Sequence, residues 1–167
     1  SGEWHDPRPV HTIDDLAVGS PEGTGGFDGD IYGLVRVYYG SATPEVFGEA
    51  VNVSNIGVLP ESRTGFALAA GDFNGDDFAD LAVASPGLNT NAGGIRIAYG
   101  SASGLADPGS VIDQDAPGVE GVGEAHDLFG YSLAAGDFDG NGADDLAVGV
   151  VNENQVGFVQ VFFSTVS

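Results

Sequence analysis

Asp72-Phe73-Asn74-Gly75-Asp76-Asp77-Phe78-Ala79-Asp80 and Asp137-Phe138-Asp139-Gly140-Asn141-Gly142-Ala143-Asp144-Asp145 are two versions of one acidic loop. Each places oxygen-bearing side chains at loop positions 1, 3, 5 and 9 and a glycine at position 4. Each follows Leu-Ala-Ala-Gly and runs into an apolar stretch, Leu81-Ala82-Val83-Ala84 or Leu146-Ala147-Val148-Gly149. A hard cation such as calcium takes six to eight oxygens at about 2.3–2.6 Å. Alternate carboxylates on a tight loop supply them, and the cation neutralises acids that would otherwise repel. The expected ligands are the side chains of Asp72, Asn74, Asp76 and Asp80 in one loop and Asp137, Asp139, Asn141 and Asp145 in the other. The position-7 carbonyls of Phe78 and Ala143 would add a backbone oxygen each. Two calcium sites are expected. A pair of solvated Asp/Gly turns is the bland alternative.

The helical EF-hand shares the opening of this pattern but needs a glutamate at position 12. Position 12 here is Val83 or Val148, inside a β-prone run. The loops therefore read as connections of β-hairpins.

The surrounding text repeats. Asp15, Asp80 and Asp145 are spaced 65 residues apart, and each sits in a similar phrase: Asp15-Leu16-Ala17-Val18-Gly19, Asp80-Leu81-Ala82-Val83-Ala84, Asp145-Leu146-Ala147-Val148-Gly149. Alternating runs follow, Leu34–Tyr39, Ile95–Tyr99 and Phe158–Phe163. A period of this size with several strands per unit implies a propeller or another radial array. Each unit is expected to have four strands: one entering the loop (Phe66–Gly71), an apolar one leaving it (Leu81–Ala84), a third with alternating bulky residues (Ile95–Tyr99), and a polar outer one (near Val51–Val53, and Ser110–Ile112). The continuous apolar run of the second strand suits burial on both faces. The repeats are placed at about 1–62, 63–127 and 128–167 of a single all-β domain.

Composition agrees. The 167 residues suffice for one core, 42% are hydrophobic, and the 28 glycines have no collagen period. Net charge is −21, with four arginines and no lysine. That excludes nucleic acid as the expected partner and gives no basis for docking on anionic lipid. Cysteine is absent, so no disulfide or thiolate chemistry exists. No apolar run is long enough to suggest membrane insertion. Calcium loops of modest affinity fill where calcium is abundant, so a secreted or cell-surface location is expected. The opening Ser1-Gly2, without methionine, is expected of a processed or excised product. Asn52-Val53-Ser54 fits a glycosylation triplet, which carries little weight.

The pattern Phe129-Gly130 … Gly136-Asp137-Phe138-Asp139-Gly140-Asn141-Gly142 … Asp145-Leu146-Ala147-Val148-Gly149, with Ser85-Pro86 closing the middle run, resembles the FG-GAP repeat. That repeat is known from the β-propeller of integrin α-subunits and from bacterial secreted proteins. The resemblance spans essentially the whole chain. It implies calcium on the propeller's lower face and ligand contact through loops on the opposite face, here Glu22–Asp30 and Asn89–Gly94. Two departures stand out. Asp77 replaces the usual glycine at position 6, where left-handed backbone is expected. The first repeat has Pro7, Pro9 and His11 at the ligand positions, so no metal is expected there.

The family's propellers typically have seven blades, and three repeats leave two open ends. Closure by another propeller segment is expected, most simply in a homodimer; the alternatives are the remainder of a larger polypeptide that completes the circle and a short open array with polar caps. Glu3-Trp4-His5-Asp6 is a candidate strand for completing the third blade. The catalytic inventory is thin: His5, His11 and His126 form no triad pattern, and no nucleophile elbow or zinc motif occurs. His126-Asp127 reads as a solvated loop. Trp4 and Tyr38-Tyr39 read as packing residues rather than an exposed platform. The expected function is therefore non-enzymatic: a calcium-binding extracellular module for protein or carbohydrate ligands. The alternatives are a portion of a secreted hydrolase and a structural spacer.

Overall fold

The computed structural model describes residues 15–22, 33–40, 51–52, 61–106 and 109–165. The candidate clasp Glu3–Asp6, the positions Pro7, Pro9 and His11, and the loop after Glu22 as far as Asp30 lie outside them.

Among the described residues nine strands form three antiparallel sheets, each made of strands consecutive in sequence. Blade 1 contains β1 (Leu16–Ser20), β2 (Leu34–Tyr38) and β3 (Val51–Asn52). Blade 2 contains β4 (Leu68–Gly71), β5 (Asp80–Ala84) and β6 (Ile95–Ala98). Blade 3 contains β7 (Ser132–Gly136), β8 (Asp145–Val150) and β9 (Phe158–Phe162). The blades are out of phase. Among the described residues, blade 1 shows the second to fourth strand of the repeat, and blades 2 and 3 show the first to third. The outer strand expected at Ser110–Ile112 is reduced to a bridge: Ile95 and Ile112 exchange backbone hydrogen bonds of 2.8 and 2.9 Å. Pro108, glycines and acids around that segment leave few residues suited to a longer pairing.

The central strand of blade 2 shows why the blades stack. Every residue of β5 is buried. Leu81 and Val83 pack with Val35 and Val37 of blade 1. Ala82 and Ala84 point the other way, into a cluster with Ile95, Phe129, Leu146, Val148 and Val150. The strand's period of two thus gives a large face toward the preceding blade and a small face toward the next. Full burial of each Leu or Val stabilises by about 1.5–3 kcal/mol. The same alternation leaves Leu16 and Val18 of blade 1 more than 40% exposed, because no blade precedes them among the described residues.

Backbone also joins the blades. Gly33 forms a parallel bridge to Thr64, and Gly93 forms the equivalent bridge to Phe129. Thr64 continues into a buried hydroxyl chain, 3.1 Å to Ser62 and 2.9 Å to Ser85. The turn before Gly93 is left-handed at Asn89, Thr90 and Asn91 (φ 51°, 58° and 66°). The matching turn of blade 3 is left-handed at Asn154 and Gln155 (φ 49° and 64°). Asparagine tolerates this region better than most residues, which suits it to these turns.

Candidate metal centre

Register places both acidic loops at the closed end of a hairpin. Gly71 pairs with Asp80 across β4 and β5, and Gly136 pairs with Asp145 across β7 and β8. Residues 72–79 and 137–144 are therefore the connections themselves.

Within each loop the backbone amides turn inward and fix the acids by one shared scheme. The position-1 carboxylate accepts from the amides of positions 4, 5 and 6: Asp72 from Gly75, Asp76 and Asp77 at 2.7, 3.1 and 2.9 Å, and Asp137 from Gly140, Asn141 and Gly142 at 2.7, 3.0 and 3.0 Å. Position 3 accepts from position 5, in Asn74 and Asp139 alike, at 3.0 Å. Position 5 accepts from position 7, Asp76 from Phe78 at 2.9 Å and Asn141 from Ala143 at 2.8 Å. Left-handed backbone at position 4 (Gly75 φ 73°, Gly140 φ 78°) and position 6 (Asp77 φ 69°, Gly142 φ 98°) makes the tight winding possible. Asp77 thus adopts the left-handed geometry that glycine supplies in the other loop.

Position 9 is different. Asp80 and Asp145 are buried, at 1% and 0% exposure. Each carboxylate spans two segments. Asp80 accepts from Phe73 at 2.9 Å and Gly100 at 2.7 Å; Asp145 accepts from Phe138 at 2.8 Å and Ser164 at 2.9 Å. One oxygen holds the loop and the other holds the chain just past the third strand. Asp15 makes the second of these bonds in blade 1, to Gly40 at 2.7 Å. The spacing of these aspartates in the sequence therefore marks a strand clasp as well as a ligand position. Sequence reasoning assigned Asp80 and Asp145 to metal alone and expected no metal at Asp15.

Burial pushes the Asp80 carboxyl above its ordinary range; the Gly100 and Phe73 amides oppose the shift, and Asp76 and Asp72 add to it by repulsion. For Asp72 slight burial pushes upward, but the amides of Asp77, Asp76, Gly75 and Asn74 outweigh it and hold the group below its ordinary value. The middle loop thus concentrates negative charge against a buried acid, an arrangement a cation relieves.

In the third repeat, carboxylate oxygens of Asp137, Asp139 and Asp145 all lie within 4.8 Å of one another. An ion with oxygens at about 2.3–2.6 Å bridges separations up to about 5 Å, so this donor set fits calcium. Among the described residues no other three acidic or histidine side chains converge so closely. Asn141 stands beside them, its amide nitrogen anchored on the Ser164 carbonyl at 2.7 Å. In the middle loop the Asn74 amide nitrogen donates to Asp76 at 3.0 Å, engaging an oxygen that a cation would use. His126 lies apart, with Nδ1 3.4 Å from the Asn91 amide nitrogen.

Comparison with known proteins identifies the repeat in which these loops lie. The model of the FG-GAP repeat matches residues 64–97 and 129–162. Integrin alpha-6 of Gallus gallus is 30% identical over 145 residues, 84% of this chain and 12% of that protein. Integrin alpha-7 of Homo sapiens is 38% identical over 102 residues, 59% of this chain and 8% of that protein. Phosphatidylinositol-glycan-specific phospholipase D of Bos taurus is 28% identical over 139 residues, 78% of this chain and 17% of that protein. The chain thus spans less than a fifth of the length of these relatives.

Proposed function

The chain is an FG-GAP repeat protein with integrin α-like β-propeller blades, and on that premise we propose that it is a calcium-stabilised extracellular binding module. The observation that carries the reading is the convergence of Asp137, Asp139 and Asp145 in a loop whose amides already orient them. Asp72, Asn74, Asp76 and Asp80 hold the second ion, with the carbonyls of Phe78 and Ala143 as backbone donors. Among the described residues no helix is long and apolar enough to cross a membrane. A secreted or cell-surface setting supplies the calcium. Protein or carbohydrate ligands meet the face opposite the acidic loops, where the turn Asn89–Gly94 lies.

Calcium that binds only the folded state stabilises it by about 2.7 kcal/mol per site at one hundred times its Kd. Chelation is expected to lower Tm by roughly 5–10 °C per site in a domain of this size. An unfolding curve that a chelator leaves unmoved would contradict the reading.

The exposed faces of blades 1 and 3 support an assembly. Blade 1 presents Leu16 and Val18, the residues equivalent to Leu81 and Val83, which in blade 2 pack on the neighbour before it. Blade 3 presents Ala147 and Gly149 on the outer face of β8, equivalent to Ala82 and Ala84, which pack on the neighbour after it. The large face of one copy therefore suits the small face of another, and two copies joined end to end make a ring of about six blades. Light scattering is expected to give a particle of two 16.9 kDa chains. A monodisperse single-chain mass would contradict this closure. The phospholipase relative favours a second reading, in which the segment accompanies a hydrolase; the same loops then serve as scaffold for a neighbouring domain.

A further inference from the structure

The two acidic loops are tied to each other. The Asp144 amide donates to the Asp72 carbonyl at 2.8 Å, and the Asp72 amide donates to Oδ2 of Asp144 at 2.9 Å. Asp72 opens the middle loop, and its carboxylate accepts from three amides of that loop. Asp144 immediately precedes Asp145, which closes the third repeat's loop through Phe138. The Asp144 carbonyl is itself fixed by the Ser164 hydroxyl at 2.6 Å. Gly71 makes the approach possible: a Cβ there would lie 2.9 Å from both Cβ and Oδ2 of Asp144. The equivalent residue of the middle loop is Ala79, which has no side-chain acceptor. Among the described residues the clasp occurs at the junction of blades 2 and 3.

We propose that Asp144 is a positioning residue for the cation site of the middle loop, and that through it the two loops fill cooperatively. This rests on the reading of the loops as calcium sites. An ion held by Asp137, Asp139 and Asp145 fixes the backbone at Asp145 and so its neighbour. Asp144 then fixes Asp72 from both its amide and its carbonyl. The second ion meets a loop whose first ligand is already ordered, so less ordering entropy opposes it. Coupling of this kind is reciprocal: filling the middle loop favours the third repeat's loop by the same factor.

The test is calorimetric titration of the full chain with calcium, comparing wild type with Asp144→Ala and Asp144→Asn. Wild type is expected to bind two ions with positive cooperativity. Asp144→Ala is expected to weaken the middle site about tenfold, in the range found when partners of metal ligands are removed, and to abolish the cooperativity. Asp144→Asn retains an oxygen acceptor and is expected to keep both. Amide hydrogen exchange checks the clasp without metal: the Asp72 amide should exchange at least about tenfold faster in Asp144→Ala than in wild type, since it loses its one side-chain acceptor. Two ions bound independently by wild type, or cooperativity that survives Asp144→Ala, would overturn the proposal alone. No bound calcium at all would overturn the reading of the loops, and the proposal with it.

Discussion

Gly93→Ala is expected to destabilise the chain by about 4 kcal/mol, near the top of the range for single substitutions. Gly93 has φ +93°, and a Cβ there would lie 2.2 Å from the Phe129 carbonyl oxygen and 2.5 Å from its nitrogen. Both neighbours are backbone, so no side chain can rotate away. Phe129 is fully buried in the cluster between blades 2 and 3, and its amide donates to the Ala92 carbonyl at 2.9 Å. Making room for one methyl group therefore separates two blades. Gly140→Ala is the control: φ is +78°, but nothing lies within 4 Å of a Cβ there. Only backbone strain of about 1–3 kcal/mol then applies. Denaturant melts of the two variants check the difference. A Gly93→Ala variant no less stable than Gly140→Ala would contradict the bridge as a structural joint.

Asp145→Ala is expected to cost about 4 kcal/mol even in the presence of a chelator. It removes the charged acceptor of the Phe138 and Ser164 amides, two partly buried bonds, and hydrogen bonds to charged groups contribute about 1.5–3 kcal/mol each. Asp139→Ala is expected to behave in the opposite way. Among the described residues Asp139 is exposed and accepts only the Asn141 amide, so without calcium the change should cost under about 1 kcal/mol. With calcium present, both variants should lose the third repeat's site. Thermal unfolding with and without chelator separates the two roles. Equal, small effects of both substitutions in chelator would contradict the strand clasp.

Much of the blade was legible in the residues. The unbroken apolar run Leu81–Ala84 implied a strand buried on both faces, and β5 is one. Position 12 of each loop, Val83 or Val148, pointed to hairpins rather than helices, and both valines lie in strands. The inward amide scheme follows from the Asp and Gly positions once the loop is known to be a hairpin turn. What was not legible depends on neighbours distant in sequence. The bond from Asp72 to Asp144 joins residues in different blades, and no local pattern encodes it. Gly93 reads as a turn glycine until Phe129 is set against it. The bonds from Gly100 and Ser164 to Asp80 and Asp145 were hidden because the ligand reading already accounted for those acids, and the bond from Gly40 to Asp15 joins residues 25 positions apart. The outer strand was overextended because Ser110–Ile112 has β-prone residues but makes only the pairing at Ile112.

The central claim is that the two acidic loops grip calcium. Native mass spectrometry of the chain exchanged into trace calcium tests it most directly, with Asp72→Ala and Asp137→Ala beside wild type. The account predicts two calcium ions per wild-type chain, and one fewer strongly held ion in each variant. A wild-type particle that carries no calcium, or variants that retain both ions, would contradict it.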